Sequence, residues 1–126
     1  MSLILDTGAL IALESNDQLM WHRFKAALES GNPRITHGGV VAQVWRGGTG
    51  RQALLSQALK AIKTIPIDEE LGRTAGVLLA RSGLSDAIDA ALVALSDHGD
   101  QILTSDPDDL ALLATAGKRR VNVVLV

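Results

Sequence analysis

Four aspartates stand where a sheet-based site needs them. Asp6 ends the apolar run Leu3-Ile4-Leu5, and Asp106 closes Ile102-Leu103-Thr104-Ser105. Short apolar runs of this kind read as strands buried on both faces, and open α/β sheets bind ligands beyond the carboxyl ends of such strands. Asp86 and Asp89 lie three residues apart, on one face of a helical pattern that precedes the second run. Carboxylates gathered in one place resist ionisation unless a cation neutralises them. An oxygen-only donor set, without Cys or paired His, suits Mg²⁺ or Mn²⁺ rather than Zn²⁺.

Each acid also has a capping reading. Asp6-Thr7-Gly8 is a possible strand-to-helix turn, Asp86 and Asp89 complement the dipole of a helix capped by Ser85, and Thr104 to Asp109 is a turn entering a helix with Pro107 at its first position. The arrival of all three segments at strand or helix ends favours a shared site.

The elements that must position these acids follow from periodicity. Strands are expected at 3–5, 33–36, 64–67, 101–104 and 121–126. Apolar residues recur at helical spacing over 9–14, 17–30, 39–46, 51–62, 69–81, 86–98 and 107–115. Strands alternating with helices predict an α/β fold with a central parallel sheet of about five short strands. At 126 residues the chain is expected to form a single domain, 1–126.

Composition narrows the function. Hydrophobic residues make up 47%, enough for a core, and the absence of Cys excludes disulfides, thiolate nucleophiles and Cys-ligated metals while fitting a reducing cytosol. The apolar runs are too short for a membrane span, and MSLILDTGAL has no basic segment ahead of its apolar stretch, so a cytoplasmic protein is expected. Trp21, Phe24 and Trp45 are the only aromatics, which argues against stacking several bases on exposed rings. Residues 1–63 carry seven Lys/Arg against four Asp/Glu, and residues 64–126 five against ten. Two halves with different jobs fit this split, as does an idle solvated surface.

Other motifs fail. Gly47-Gly48-Thr49-Gly50 lacks the ending of a P-loop and reads as a flexible connector, and no Gly-x-Ser-x-Gly elbow is present. Asp6 lacks the second aspartate, two residues on, of an aspartyl-phosphate phosphatase. His22, His37 and His98 have no ligand spacing and read as surface or capping residues. Glu14 reads as the end of a solvated helix, and Gly117-Lys118-Arg119-Arg120 as a solvated turn.

Four segments in this order, LILDTGALIALE, VVAQVWRGG, SDAIDAALVAL and QILTSDPDDLALL, carry a resemblance over nearly the whole chain. The sequence resembles the PIN domain, and within it the VapC-type toxins of toxin–antitoxin pairs. That resemblance implies a three-layer α/β/α fold, Mg²⁺- or Mn²⁺-dependent endoribonuclease activity on RNA, a homodimer and a cognate antitoxin that also binds DNA. It places the metal-binding and catalytic acids at Asp6, Asp89 and Asp106, with Asp86 the competing alignment for Asp89 and Asp108 or Asp109 an extra acid nearby. Thr7 and Thr104 become hydroxyls that steady the carboxylates, a water or the substrate. Many members carry a glutamate where this chain has Gln43, which brings a carbonyl but no charge. Asp86 can supply the missing charge. Without it, the alternative is a catalytically weakened domain that binds RNA or an antitoxin without cutting. Arg46 and Arg51, beside the glycine loop, are candidates for gripping the substrate backbone. A small-phosphoester hydrolase would use the same metal site. The surface of the first two helices around Trp21 is a candidate for an antitoxin or dimer contact, unless Trp21 packs inside.

Overall fold

The computed structural model describes residues 1–47 and 50–126. Its elements in chain order are β1 (Leu3–Leu5), α1 (Thr7–Glu14), α2 (Gln18–Glu29), β2 (Arg34–His37), α3 (Gly38–Val44), a 3-10 turn (Gly50–Gln52), α4 (Ala53–Lys60), β3 (Lys63–Ile65), α5 (Glu69–Ser82), α6 (Ala87–Ala94), β4 (Gln101–Thr104), α7 (Pro107–Ala116) and β5 (Asn122–Leu125). Of the connector read over residues 47–50, Gly48 and Thr49 lie outside the described residues.

The five strands form one parallel sheet in the order β3-β2-β1-β4-β5. Parallel neighbours need crossover connections, and the helices that provide them cover both faces, giving the expected three layers. All of β1 is buried, as are Ile102, Leu103 and Thr104 of β4. These central strands pair Ile4 with Ile102 and Leu5 with Leu103. Leu10, Leu13, Met20, Phe24, Leu92, Leu110 and Leu113 close over them from the helices, all fully buried. Each such side chain contributes about 1.5–3 kcal/mol of transfer free energy.

From β1 the chain moves outward to β2 and β3, then returns to lay β4 on the other side of β1. The carboxyl ends of β1 and β4 therefore flank the point where strand order reverses, the crevice in which such sheets bind ligands. Asp6 and Asp106 follow these two ends.

Three helices, α3, α4 and α6, end two or more residues earlier than periodicity predicts, and α6 starts on a different cap. Asp86, not Ser85, is the N-cap of α6: its carboxylate accepts from the N–H groups of Ile88 at 2.9 Å and Asp89 at 3.2 Å. α6 stops at Ala94 instead of running to 98, because the Ser96 hydroxyl turns back to the Val93 carbonyl and the Asp100 carboxylate captures the Asp97 N–H at 2.8 Å. α3 stops at Val44 instead of 46. The Gln52 side chain takes the Val44 carbonyl and offers its own oxygen to the N–H groups of Arg46 and Gly47, which turns the chain away and leaves Trp45 40% exposed. No helix among the described residues is long and apolar enough to cross a membrane.

Candidate active site

Asp6 is 8% exposed and forms the N-cap of α1. Its Oδ1 accepts the Thr7 N–H at 2.7 Å, and its Oδ2 accepts the Thr104 hydroxyl at 2.7 Å. The carboxylate is thus fixed at both oxygens, with lone pairs left over for a ligand. The same Thr104 hydroxyl accepts the Asp106 N–H at 3.1 Å, so one buried side chain ties the two strand ends together. Because Thr104 is fully buried, it holds Asp6 and does not reach a substrate.

Asp106 occupies the N-cap position of α7, but its carboxylate makes no capping bond. Pro107 at the first helical position has no N–H to offer, and the exposed carboxylate remains uncommitted. α1 and the turn that carries Asp106 come close because residue 8 is glycine. A Cβ there would meet the Ser105 side chain and stand 2.7 Å from the Ser105 nitrogen. Composition alone marks Gly8 as a turn residue and gives no hint of Ser105.

Asp89 lies in the first turn of α6, half-buried, and its carboxyl is pushed up to about 7. Burial is the main cause, followed by repulsion from Asp86, Asp6, Asp109 and Asp106. Asp86 is exposed and its Oδ1 is taken by its own helix, so it serves as the cap expected of Ser85. Asp109, an optional acid in the sequence, contributes to the same field, and Asp108 sits with it in the first turn of α7.

Gln43 brings its side-chain oxygen to the Thr7 hydroxyl, next to Asp6. Arg46 folds back on α3, donating to the carbonyls of Ala42, Gln43 and Trp45. Arg46 and Arg51 line a cleft of about 420 Å³ with Glu14, Ser15, Val44 and Gln52. Glu14 is not a solvated helix end: it is half-buried and accepts from the buried Gln52 amide at 2.8 Å. His22 is exposed, His98 accepts the Arg120 N–H at 3.0 Å, and His37 caps α3 from a fully buried position. Trp21 is half-buried, with its ring edge-on to Phe24 at 5.5 Å and its N–H on the Leu13 carbonyl at 3.0 Å.

Among the described residues, no three His, Asp or Glu side chains form a ready-made metal cage. The donor set nevertheless fits a hard divalent cation that keeps part of its water shell. Every donor is an oxygen, and the half-buried Asp89 carboxyl is held at about 7 by burial and by four other acids. A cation among them would relieve that repulsion.

A family model described as PIN domain matches residues 3–116. No curated protein matches the chain. Among solved structures, a chain in the crystal structure of VapBC2 from Rickettsia felis bound to a DNA fragment from their promoter superposes with a TM-score of 0.73 at 14% identity, covering 98% of this chain and 99% of that one. At that identity the likeness is one of fold.

Proposed function

The chain belongs to the PIN-domain family, whose members are generally nucleases, and from that premise we propose that it is a divalent-metal-dependent endoribonuclease of the VapC type, controlled by a cognate antitoxin. One observation carries the reading: the acids at the end of β1 and at the starts of α6 and α7 meet at the strand-order reversal, where burial first and their mutual repulsion second raise Asp89 to about 7.

Asp6, Asp89 and Asp106 would hold the ion, directly or through water. When bound, Mg²⁺ or Mn²⁺ supplies activation of water and neutralisation of phosphoryl charge. Thr104 keeps Asp6 oriented, and Thr7 links Asp6 to Gln43. The Asp89 carboxyl, raised to about 7 by burial and neighbouring acids, would have to be ionised to serve as a ligand, and a bound cation would favour that form. Arg51, with Arg46 at the rim of the same cleft, would grip the RNA backbone. The chain contains no Cys, and no Ser–His hydrogen bond is found among the described residues, so the proposal calls on no side-chain nucleophile.

The homodimer and the cytoplasmic setting are proposed on the family resemblance alone, and the antitoxin on that resemblance with the support of the VapBC2 neighbour. The surface beside Trp21, where Asn16, Gln18, His22 and Leu54 line a cleft of about 440 Å³, is the site we assign to the antitoxin.

A second reading is a binder of RNA or antitoxin without cleavage. Gln43 favours it, since its oxygen is engaged by Thr7 and it adds no charge. Metal-free protein incubated with single-stranded RNA, with and without Mn²⁺, tests the two. Cleavage that requires the ion and falls about 100-fold or more in Asp6→Asn and Asp89→Asn supports the nuclease. Cleavage that survives both substitutions removes these residues from the reaction. RNA binding without cleavage selects the second reading.

A further inference from the structure

His37 ends β2, the strand beside β1, and is 0% exposed. Its Nδ1 accepts the Gly39 N–H at 3.1 Å, which caps α3. That bond assigns the ring proton to Nε2, which stands 2.9 Å from the Ile88 carbonyl and donates to it. Burial holds the imidazole below its ordinary pKa, consistent with this neutral form. Ile88 is the residue before Asp89, in the first turn of α6.

The same turn also packs against the start of α3. A Cβ on Gly39 would stand 2.5 Å from Ile88 Cδ1 and 2.9 Å from His37 Cε1, so the start of α3 lies directly against the Ile88 side chain and the His37 ring. Asp89 itself has no side-chain hydrogen bond among the described residues, unlike Asp6 with two. Its carboxylate is therefore placed by the backbone that carries it.

We propose that His37 is a positioning residue: its Nε2–H fixes the first turn of α6 on the carboxyl edge of the sheet and so sets Asp89 against Asp6 and Asp106. The inference rests on the metal-site reading above and extends it to a side chain that touches neither ion nor substrate. An imidazole suits the task because it caps one element with one nitrogen and tethers another with the other, on a ring with only two torsions.

Two variants separate the tether from the cap. His37→Asn keeps an acceptor at the Nδ1 position, where Asn is a favoured N-cap, and loses the donor to Ile88. His37→Gln keeps a donor at the reach of Nε2 and gives up the cap. Mn²⁺ alone, titrated calorimetrically into metal-free full chain whose fold is confirmed by circular dichroism, is the first readout. His37→Asn is expected to lose about 10- to 100-fold in Mn²⁺ affinity, with kcat for RNA cleavage lowered and KM unchanged. His37→Gln recovers most of both. Folded His37→Asn with wild-type Mn²⁺ affinity overturns the proposal, and so does a loss in His37→Gln equal to that in His37→Asn.

Wild-type chain that binds no Mn²⁺ would instead sink the metal reading. The amide resonances of Ile88 and Asp89 in metal-free protein then decide on His37. Displacement in His37→Asn with retention in His37→Gln upholds the tether, and unmoved resonances in both refute it.

Discussion

The Thr104 hydroxyl donates to Asp6 Oδ2 at 2.7 Å and accepts the Asp106 N–H at 3.1 Å, so two acids a hundred residues apart in sequence share one oxygen. Thr104→Val keeps the shape and removes that oxygen. It strands a buried carboxylate oxygen and a backbone N–H, which costs about 1–3 kcal/mol. Urea denaturation is expected to show that loss, and RNA cleavage to fall about 10- to 100-fold. Thr104→Ser restores both. A stable, fully active Thr104→Val would show that Asp6 needs no such support.

Gly8→Ala tests the contact between α1 and the turn after β4. The new methyl group would press on the Ser105 side chain and lie 2.7 Å from its nitrogen, and backbone cannot rotate away as a side-chain tip can. Overpacking of this kind costs about 1–3 kcal/mol. The expected outcome is a lower thermal midpoint together with weaker Mn²⁺ binding, because the shifted turn carries Asp106. Ser105→Ala should not rescue the variant, since the backbone clash remains.

The central strands were legible because each holds a short apolar run with a carboxylate soon after it: Leu3-Ile4-Leu5 before Asp6, and Ile102-Leu103, followed by Thr104 and Ser105, before Asp106. Burial on both faces removes alternation and leaves a run that periodicity can read. The cap of α6 was not legible, since Ser85 and Asp86 are both good capping residues and the choice depends on which one reaches two N–H groups. The ends of α3 and α6 depend on side chains outside the helix, Gln52 in one case and Asp100 in the other. A window of helical spacing contains neither. His37 caps α3, one of the two roles its sequence suggests, but its bond to Ile88 escaped for the same reason, as that partner lies 51 residues away. Its place after a strand, matching that of Asp6 after β1, was the one available signal.

The raised Asp89 carboxyl makes metal-free stability depend on pH. The folded chain holds this proton more tightly than the unfolded one, so the stability it confers is complete below about 3.8 and is lost as pH rises through about 7. Solvent screening of a half-buried group limits the effect to about 1 kcal/mol. Asp89→Asn is expected to be more stable than wild type at pH 8 without metal, by roughly that amount, and to lose its advantage at pH 4. Mn²⁺ at a hundredfold excess over its Kd should stabilise wild type at pH 8 by about 2.7 kcal/mol and leave Asp89→Asn nearly unchanged. Thermal melts across this range check both parts, and equal metal stabilisation of the two proteins would take Asp89 out of the ligand set.

Gln43→Glu adds a charge where many PIN domains carry one. The wild-type oxygen accepts from the Thr7 hydroxyl, and a carboxylate oxygen can accept the same bond while keeping its second oxygen for a ligand. In metal-free protein the added charge is expected to cost stability at neutral pH and to push the Asp89 carboxyl further up, because the site already crowds acids around one partly protonated member. With Mn²⁺ present the same charge becomes an asset, and affinity should rise by at least about tenfold, the equivalent of about 1.4 kcal/mol. Calorimetry and cleavage assays on the pair then separate the two functional readings. If wild type cuts RNA and Gln43→Glu only tightens the ion, the glutamine is a tuning of an active nuclease. If wild type neither binds Mn²⁺ nor cuts while Gln43→Glu does both, the natural chain is a binding domain in which one uncharged side chain has disarmed the site.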